Sequence, residues 1–298
     1  MSTTTAPTTR SASTSDTGSR GGISPRRLRQ LLMIGALGFA GLVWLTPLLW
    51  MLSLSVSSNE ALTTNTTSLV PLDPTLSNYG DVLDVGLTPR WLLNSLIVTG
   101  VTTIATLALS ASAGYAFARL QFRGKWFLFP FVLAGLMVPK EAMFIPQFLM
   151  FSEVDLHNTY SALALPRIAA PLGVFIMTQF FRALPRDIEE AASVDGASRW
   201  VIFSRVLLPL SVPALTALGI FTFILTWNDY LWPLVSATKP EMFTITTGLA
   251  SLQGNFAQAT ELGSLMARGV VAAAPLLILF VIFQKHLIRG ISVGSGGK

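Results

Sequence analysis

Long apolar blocks alternate with short polar stretches along these 298 residues. The first block runs from Leu31 to about Val56, behind Arg26, Arg27 and Arg29. The others cover about Trp91–Ala118, Trp126–Phe151, Ser161–Phe181, Pro209–Leu231 and Leu262–Leu287. A helix needs about 20 residues to cross the hydrocarbon layer of a bilayer, and each block reaches that length. A signal peptide has an apolar core of only about 7–15 residues, so the first block reads as an uncleaved first helix. The pattern predicts an all-α polytopic membrane protein with six transmembrane helices. Prolines inside several blocks do not exclude this, because neighbouring helices satisfy the backbone groups that a proline frees.

The polar stretches orient the helices. Basic residues cluster in the N-terminal segment, between helices two and three (Arg119, Arg123, Lys125), between helices four and five (Arg182, Arg186, Arg199, Arg205), and at the C-terminal end (Lys285, Arg289, Lys298). Arg90 and Lys239 fall on the opposite side, while Lys140, Arg167 and Arg268 lie within or near spans. Short cytoplasmic loops collect lysine and arginine, so the bias predicts N-in/C-in. Residues 1–27, rich in Ser, Thr and Gly, cannot bury enough apolar surface to order themselves and read as a disordered cytoplasmic tail. Residues 28–290 form the transmembrane domain, with a distinctive loop at about 182–208, and 291–298 a short cytoplasmic C-terminal tail. Two outer segments, about 57–89 and 233–261, remain; the first is polar and turn-rich and suits a small cap.

Composition agrees. The chain is 51% hydrophobic and 12% charged, against about a quarter charged for a soluble domain. It has no cysteine, which excludes disulfides and thiolate metal sites. His157 and His286 lack ligand-like neighbours and read as interfacial. The net charge of +5 follows topology rather than a nucleic-acid-binding face. Small residues recur every four positions (Ala36 and Ala40; Ser110, Gly114 and Ala118; Gly269 and Ala273), which lets helices approach closely.

The loop before the fifth block, EEAASVDGASRWVIFSRVLLPLSVPAL over residues 189–215, is neither span nor ordinary linker. Pro185 suits a first helical position, and Asp187, Glu189 and Glu190 suit a positive helix end. Ile188, Ala191, Ala192 and Asp195 are spaced to share a face. Gly196 is placed to end the helix in a left-handed residue. A second amphipathic stretch carries Trp200, Phe203 and Leu207 to Pro209. Two short helices hinged at Gly196 are expected at the membrane face, with a small Ala191–Ala192 surface that another protein can approach. An interfacial loop that snorkels its arginines would read the same way.

The series Glu190-Ala191-Ala192, three residues, Gly196, nine residues, Val206, one residue, Leu208-Pro209 resembles the EAA loop of ABC-importer permeases. Val206 stands where the family pattern has isoleucine. Asp195-Gly196-Ala197 and Pro213-Ala214-Leu215 are similar to the carbohydrate-uptake subfamily, on the side of the maltose transporter's second permease. So are Asn94-Ser95, Ala113-Gly114-Tyr115-Ala116-Phe117-Ala118-Arg119, Trp227-Asn228-Asp229 with Pro233, Met266-Ala267 with Pro275, and the run Gln284 to Gly290. The likeness covers about residues 30–294. The C-terminal Gly294-Ser295-Gly296-Gly297-Lys298 matches the family ending only loosely.

The resemblance implies an ABC type I importer permease fold, in the cytoplasmic (inner) membrane of a bacterial cell. It implies a sugar or polyol substrate, a homologous second permease, two ATP-binding-cassette ATPase subunits and an extracytoplasmic sugar-binding protein. ATP and Mg would be held by those ATPase subunits, with no cofactor in this chain. Glu190, Ala191, Ala192, Asp195, Gly196 and Arg199 would form the ATPase-coupling element. No catalytic or metal-binding residues are expected, and the terminal Gly-Gly-Lys lacks the upstream glycine and following hydroxyl of a phosphate cradle. Trp227, Asn228, Asp229 and Tyr230 have sugar-binding chemistry and are candidate pathway residues, although an interfacial aromatic belt has the same composition. The competing class is an ion-driven secondary transporter, which would use ionisable residues near the midplane. Glu141 and Asp229 lie toward span ends.

Overall fold

The computed structural model describes residues 25–84, 86–253 and 261–295. Most of the expected N-terminal tail, residue 85, residues 254–260 and residues 296–298 lie outside the described residues. The chain divides into two compact units, 1–48 and 49–298. Helix α1 (Pro25–Ser55) supplies the described part of the first unit. Residues 26–48 are exposed, and leucines, Phe39 and Trp44 point outward all round. A helix apolar on every side needs an apolar surrounding, here lipid or other protein.

The second unit is built around α4 (Thr88–Arg119), which follows two short helices, α2 (Asn59–Thr64) and α3 (Ser77–Asp84). Between Trp91 and Tyr115 its buried side is mostly polar or small: Asn94, Ser95, Thr99, Thr102, Thr106, Ser110, Ala111 and Gly114, with Val98 among them. Its exposed positions are mostly apolar, among them Leu93, Val101, Ile104 and Leu109. This inverts a water-soluble helix, as expected where lipid replaces water and small residues mediate helix contact.

Beyond α4 come α5 (Lys125–Ala134), continued as a tight turn over Gly135–Met137, then a second such turn over Lys140–Met143 and α6 (Phe144–Glu153). Next are α7 (Tyr160–Ile168), α8 (Pro171–Ala183) and α9 (Asp187–Val194). A stretch follows with α10 (Arg199–Val201), a wider π-helical turn (Ile202–Leu207) and α11 (Leu208–Leu210). The remainder is α12 (Val212–Trp227), α13 (Leu231–Ser236), α14 (Ile245–Gln253) and α15 (Leu262–Ser295). The last helix runs past residue 291, where a tail was expected. Pro185 also sits before the first turn of α9 rather than in it, with Arg186 as the cap.

Three expected spans are not continuous. The segments Lys125–Met137 and Lys140–Glu153 meet at 96°, Tyr160–Ile168 and Pro171–Ala183 at 45°, and Arg199–Leu210 and Val212–Trp227 at 72°. Among the described residues, three helices are long and apolar enough to cross a membrane, or up to six if each bent pair is one span. Each break has a proline cause. Val138 before Pro139 and Ala170 before Pro171 are extended (ψ 115° and 95°), because the following ring disfavours helical geometry. Pro213 has no N–H to return to the Pro209 carbonyl.

Close packing holds the unit where small residues were noted. A Cβ on Gly114 would sit 2.6 Å from the Met177 Cβ, and one on Gly173 2.3 Å from Ser110 Oγ, so α4 and α8 meet backbone to backbone. The two polar segments expected on the outer side are pinned by asparagines. Buried Asn78 donates to the carbonyls of Ser55 and Ser57 at 3.0 and 2.8 Å, and Asn59 Oδ1 accepts from Gly263 N at 2.8 Å. Asn94 donates to the carbonyls of Glu241 and Phe243 and accepts from the Tyr160 hydroxyl, all within 2.9 Å.

Candidate functional site

Two places gather the candidate residues: the loop at 182–210 and a cavity at the helix breaks. In the loop, three acids (Asp187, Glu189, Glu190) occupy the first turn of α9, where unpaired N–H groups favour negative charge. Helix α9 ends as expected. Gly196 is left-handed (φ +80°), its N–H donates to the Ser193 carbonyl, and Ala197 N–H donates to the Ala192 carbonyl. These two bonds close the helix end and require a residue without Cβ strain. Ser198 then caps α10 by accepting from Val201 N.

The expected single face of α9 is divided. Ile188 and Ala192 are half-buried, and Ala192 packs against the apolar core, whereas Ala191 and Asp195 are exposed together with Glu190, Gly196 and Arg199. Of the predicted coupling residues, five therefore form an outward surface and Ala192 its backing. The second stretch is anchored more deeply. Ile202, Phe203 and Leu207 are buried with Ala111, Tyr115, Met177, Phe181 and Leu218, so the loop is rooted in α4, α8 and α12. The π-helical turn makes this register, because Leu207 lies five positions after Ile202, close to one wide turn. Trp200, expected on one side with Phe203 and Leu207, lies against the Phe203 ring at 5.6 Å but is 70% exposed.

An ion pair ties the outward surface to this root. Arg119, the last residue of α4, reaches Glu189 at 2.7 Å and donates to the Leu184 carbonyl at 2.7 Å. Its side chain is 6% exposed and that of Glu189 19%. Tyr115 stacks on Phe203 at 4.9 Å and reaches the Arg199 carbonyl at 3.5 Å. The pairing of Arg119 with Glu189 was not legible in sequence. The two lie seventy positions apart, and a basic residue at a span end has a topological explanation of its own.

The second place is a cavity of about 670 Å³ between the break at Val138–Pro139, the break at Ala169–Ala170 and the body of α12. Arg167 and Asp229 line it and pair at 2.6 Å, with side chains 13% and 17% exposed. Lys140, Glu141, Gln147 and Thr222 also line it. The Gln147 Oε1 is buried without a hydrogen-bond partner. Arg268, also within or near a span by sequence, lies elsewhere, its Nε 3.3 Å from Thr88 Oγ1.

The four candidate pathway residues separate. Trp227 is 2% exposed, stacked on Phe223 and bonded through Nε1 to the Ala272 carbonyl, so it packs α12 against α15. Asn228 donates back to the Ile224 carbonyl and Tyr230 is exposed. Asp229 alone of the four lines the cavity. No group of three or more His, Cys, Asp or Glu side chains suited to a metal occurs among the described residues.

Comparison with known proteins supplies the remaining observation. Residues 107–293 match the family described as binding-protein-dependent transport system inner membrane component. The chain is 36% identical over 271 residues to an arabinooligosaccharides transport system permease protein of Halalkalibacterium halodurans, covering 90% of this chain and 96% of that one. It is 35% identical over 271 residues to a trehalose/maltose transport system permease protein of Thermococcus litoralis, with the same coverage. Among solved structures it resembles a bacterial ABC transporter involved in the import of the acidic polysaccharide alginate, with a TM-score of 0.76 and 25% identity over 91% of this chain and 99% of that one.

Proposed function

The chain belongs to the family of binding-protein-dependent transport system inner membrane components, and from that premise we infer that it is the permease subunit of an ABC importer that carries a sugar. Family membership makes it a transporter rather than an enzyme, and it replaces the ion-driven alternative. The reading has six spans, each bent pair counted as one, with both termini on the cytoplasmic side of the inner membrane. A homologous second permease completes the pathway, two ATPase subunits bind ATP and Mg, and an extracytoplasmic receptor delivers the sugar.

The observation that carries this reading is the construction of the 182–210 loop. Its exposed ridge of Glu190, Ala191, Asp195, Gly196 and Arg199 is small or polar, with exposed Val194 and Trp200 beside it, so a partner's surface can approach closely and still find apolar contact. Its buried heel of Ile202, Phe203 and Leu207 is packed into α4, α8 and α12. A push on the ridge cannot be absorbed locally, because close-packed interiors transmit displacement. Closure of an ATPase dimer against this loop would therefore move the helices that surround the cavity, biasing a two-state bundle. Glu190 supplies a charged contact to the ATPase, Ala191 the close approach, and Gly196 the bend.

The test is a pair of variants in the assembled transporter. Glu190→Lys and Gly196→Pro should reach the membrane at normal levels, yet uptake should fall at least tenfold while ATP hydrolysis loses its dependence on receptor. Normal uptake by both would overturn the coupling role. Uptake assayed with maltose, trehalose, an arabino-oligosaccharide and diacetylchitobiose tests the substrate class; transport of none of them by the wild type would count against a sugar. Cysteines introduced at Thr64 or Ser251 should be labelled by reagent added outside, and one at Ser198 should not. All three positions are exposed, and the chain has no cysteine of its own.

A further inference from the structure

The cavity at the helix breaks has features that the packing of the bundle does not require. Charged groups within an apolar bundle are costly, and they persist where they pair or face a polar space. Here two cations (Lys140, Arg167) and two anions (Glu141, Asp229) line one chamber, Arg167 and Asp229 shielded and Lys140 and Glu141 exposed, so their formal charges cancel. Arg167 and Asp229 neutralise each other at 2.6 Å. Beside them Gln147 presents a buried carbonyl oxygen with no partner, and Thr222 lines the wall from α12. Phe144 and Phe221 add ring surface.

The volume of about 670 Å³ falls within the range of about 300–1,000 Å³ common for small-molecule sites. Balanced charge, side-chain donors and acceptors, and aromatic faces fit a molecule that is uncharged, rich in hydroxyls and apolar on its C–H faces. An anionic substrate would meet as many carboxylates as cations. We propose that this chamber is a contact site for a neutral carbohydrate in transit, with the Arg167–Asp229 pair, Gln147 and Thr222 bonding hydroxyls. The proposal rests on the importer reading above and moves the contact away from Trp227, which is fully engaged in helix packing. Because the walls are the turns that join α5 to α6, the start of α6, the facing ends of α7 and α8 and the side of α12, any motion that changes a kink reshapes the site. A site with those walls would differ in affinity between two states of the bundle, as transport requires.

Gln147→Leu and Thr222→Val remove hydrogen-bonding groups at nearly constant volume. In the assembled transporter, both should raise the uptake KM for whichever sugar of the four-sugar panel is carried by at least tenfold. ATP hydrolysis stimulated by loaded receptor should stay within about twofold of wild type, which separates lost contact from lost coupling. A cysteine at position 147 or 222 should be labelled several-fold more slowly when the transported sugar is present than with a sugar that is not carried, whereas one at Ser251 should not respond. An oligouronate of similar length should not compete for uptake. Unchanged KM in both variants together with unprotected cysteines would overturn the contact site, and effective competition by the oligouronate would overturn its preference for neutral sugar. If the wild type carried no carbohydrate, the importer reading itself would fail, a result distinct from normal sugar uptake by the variants.

Discussion

Two arginine–carboxylate pairs stand at the two candidate sites of this molecule, alike in composition and separation, although only Arg167 and Asp229 are aligned as a hydrogen bond. Arg119–Glu189 closes at 2.7 Å and Arg167–Asp229 at 2.6 Å, both largely shielded from solvent. Their surroundings differ. Arg119 is backed by the Leu184 carbonyl in a loop rooted beside the apolar cluster around Tyr115, Phe181 and Phe203. Arg167 and Asp229 face a chamber with further charges and an unpartnered amide oxygen. The same kind of ion pair is therefore a fastener in one setting and, on the proposal above, an addressable polar surface in the other. What decides is the space beside it, not the pair.

The largest effect that distinguishes them should come from Arg119→Ala. Removing one partner leaves the other charge in a poor environment, a loss of roughly 3–5 kcal/mol for buried pairs. About 3 kcal/mol is expected here, since Glu189 keeps some solvent. Thermal unfolding of the purified complex should drop by several degrees and uptake should collapse. Arg167→Gln keeps a donor facing the chamber, so its unfolding temperature should change little while its uptake KM rises. If both variants lost stability equally, the contrast between fastener and surface would disappear.

Next in size is Gly114→Val. The added atoms meet Met177 and the backbone of Met177 and Thr178 within 3.0 Å, so α4 and α8 must separate. Overpacking of this kind costs about 1–3 kcal/mol. Because these helices hold the heel of the loop, the yield of folded transporter should fall and its ATPase activity should respond less to receptor. Retained receptor response would show that the loop acts without this packing.

The smallest effect belongs to Gly196. No atom lies within 4 Å of a Cβ built there, so Gly196→Ala tests backbone strain alone. A left-handed non-glycine residue costs about 1–2 kcal/mol. Asparagine tolerates that conformation better, so Gly196→Asn should retain more uptake than Gly196→Ala. The reverse order would mean that the partner's surface, rather than the left-handed turn, sets the requirement at this position.

Much of this was legible in the sequence where the signal was local. The left-handed close of α9 at Gly196 and its acidic first turn followed from residue type and spacing within ten positions. The stripe of Ser110 and Gly114 predicted close helix contact, and the Gly114 approach to Met177 supplies it. Other features were less accessible. Prolines in three blocks were visible, but whether each bends or breaks a helix depends on what receives the freed carbonyl. Trp227 has sugar-binding chemistry in sequence, and only the stacking on Phe223 and the bond to Ala272 reveal its packing role.

The sequence by itself determined the apolar blocks, the loop between them and the hinge within that loop, because hydrophobic run length and glycine conformation act along the chain. Only the tertiary structure decided that Arg119 meets Glu189, that Arg167 meets Asp229, and that the breaks of two bent spans leave a chamber against the body of α12. Those pairings join residues more than sixty positions apart and depend on helix angles that no periodicity encodes. Ion pairs and cavities are consequences of packing, and packing is settled only when all the helices are in place.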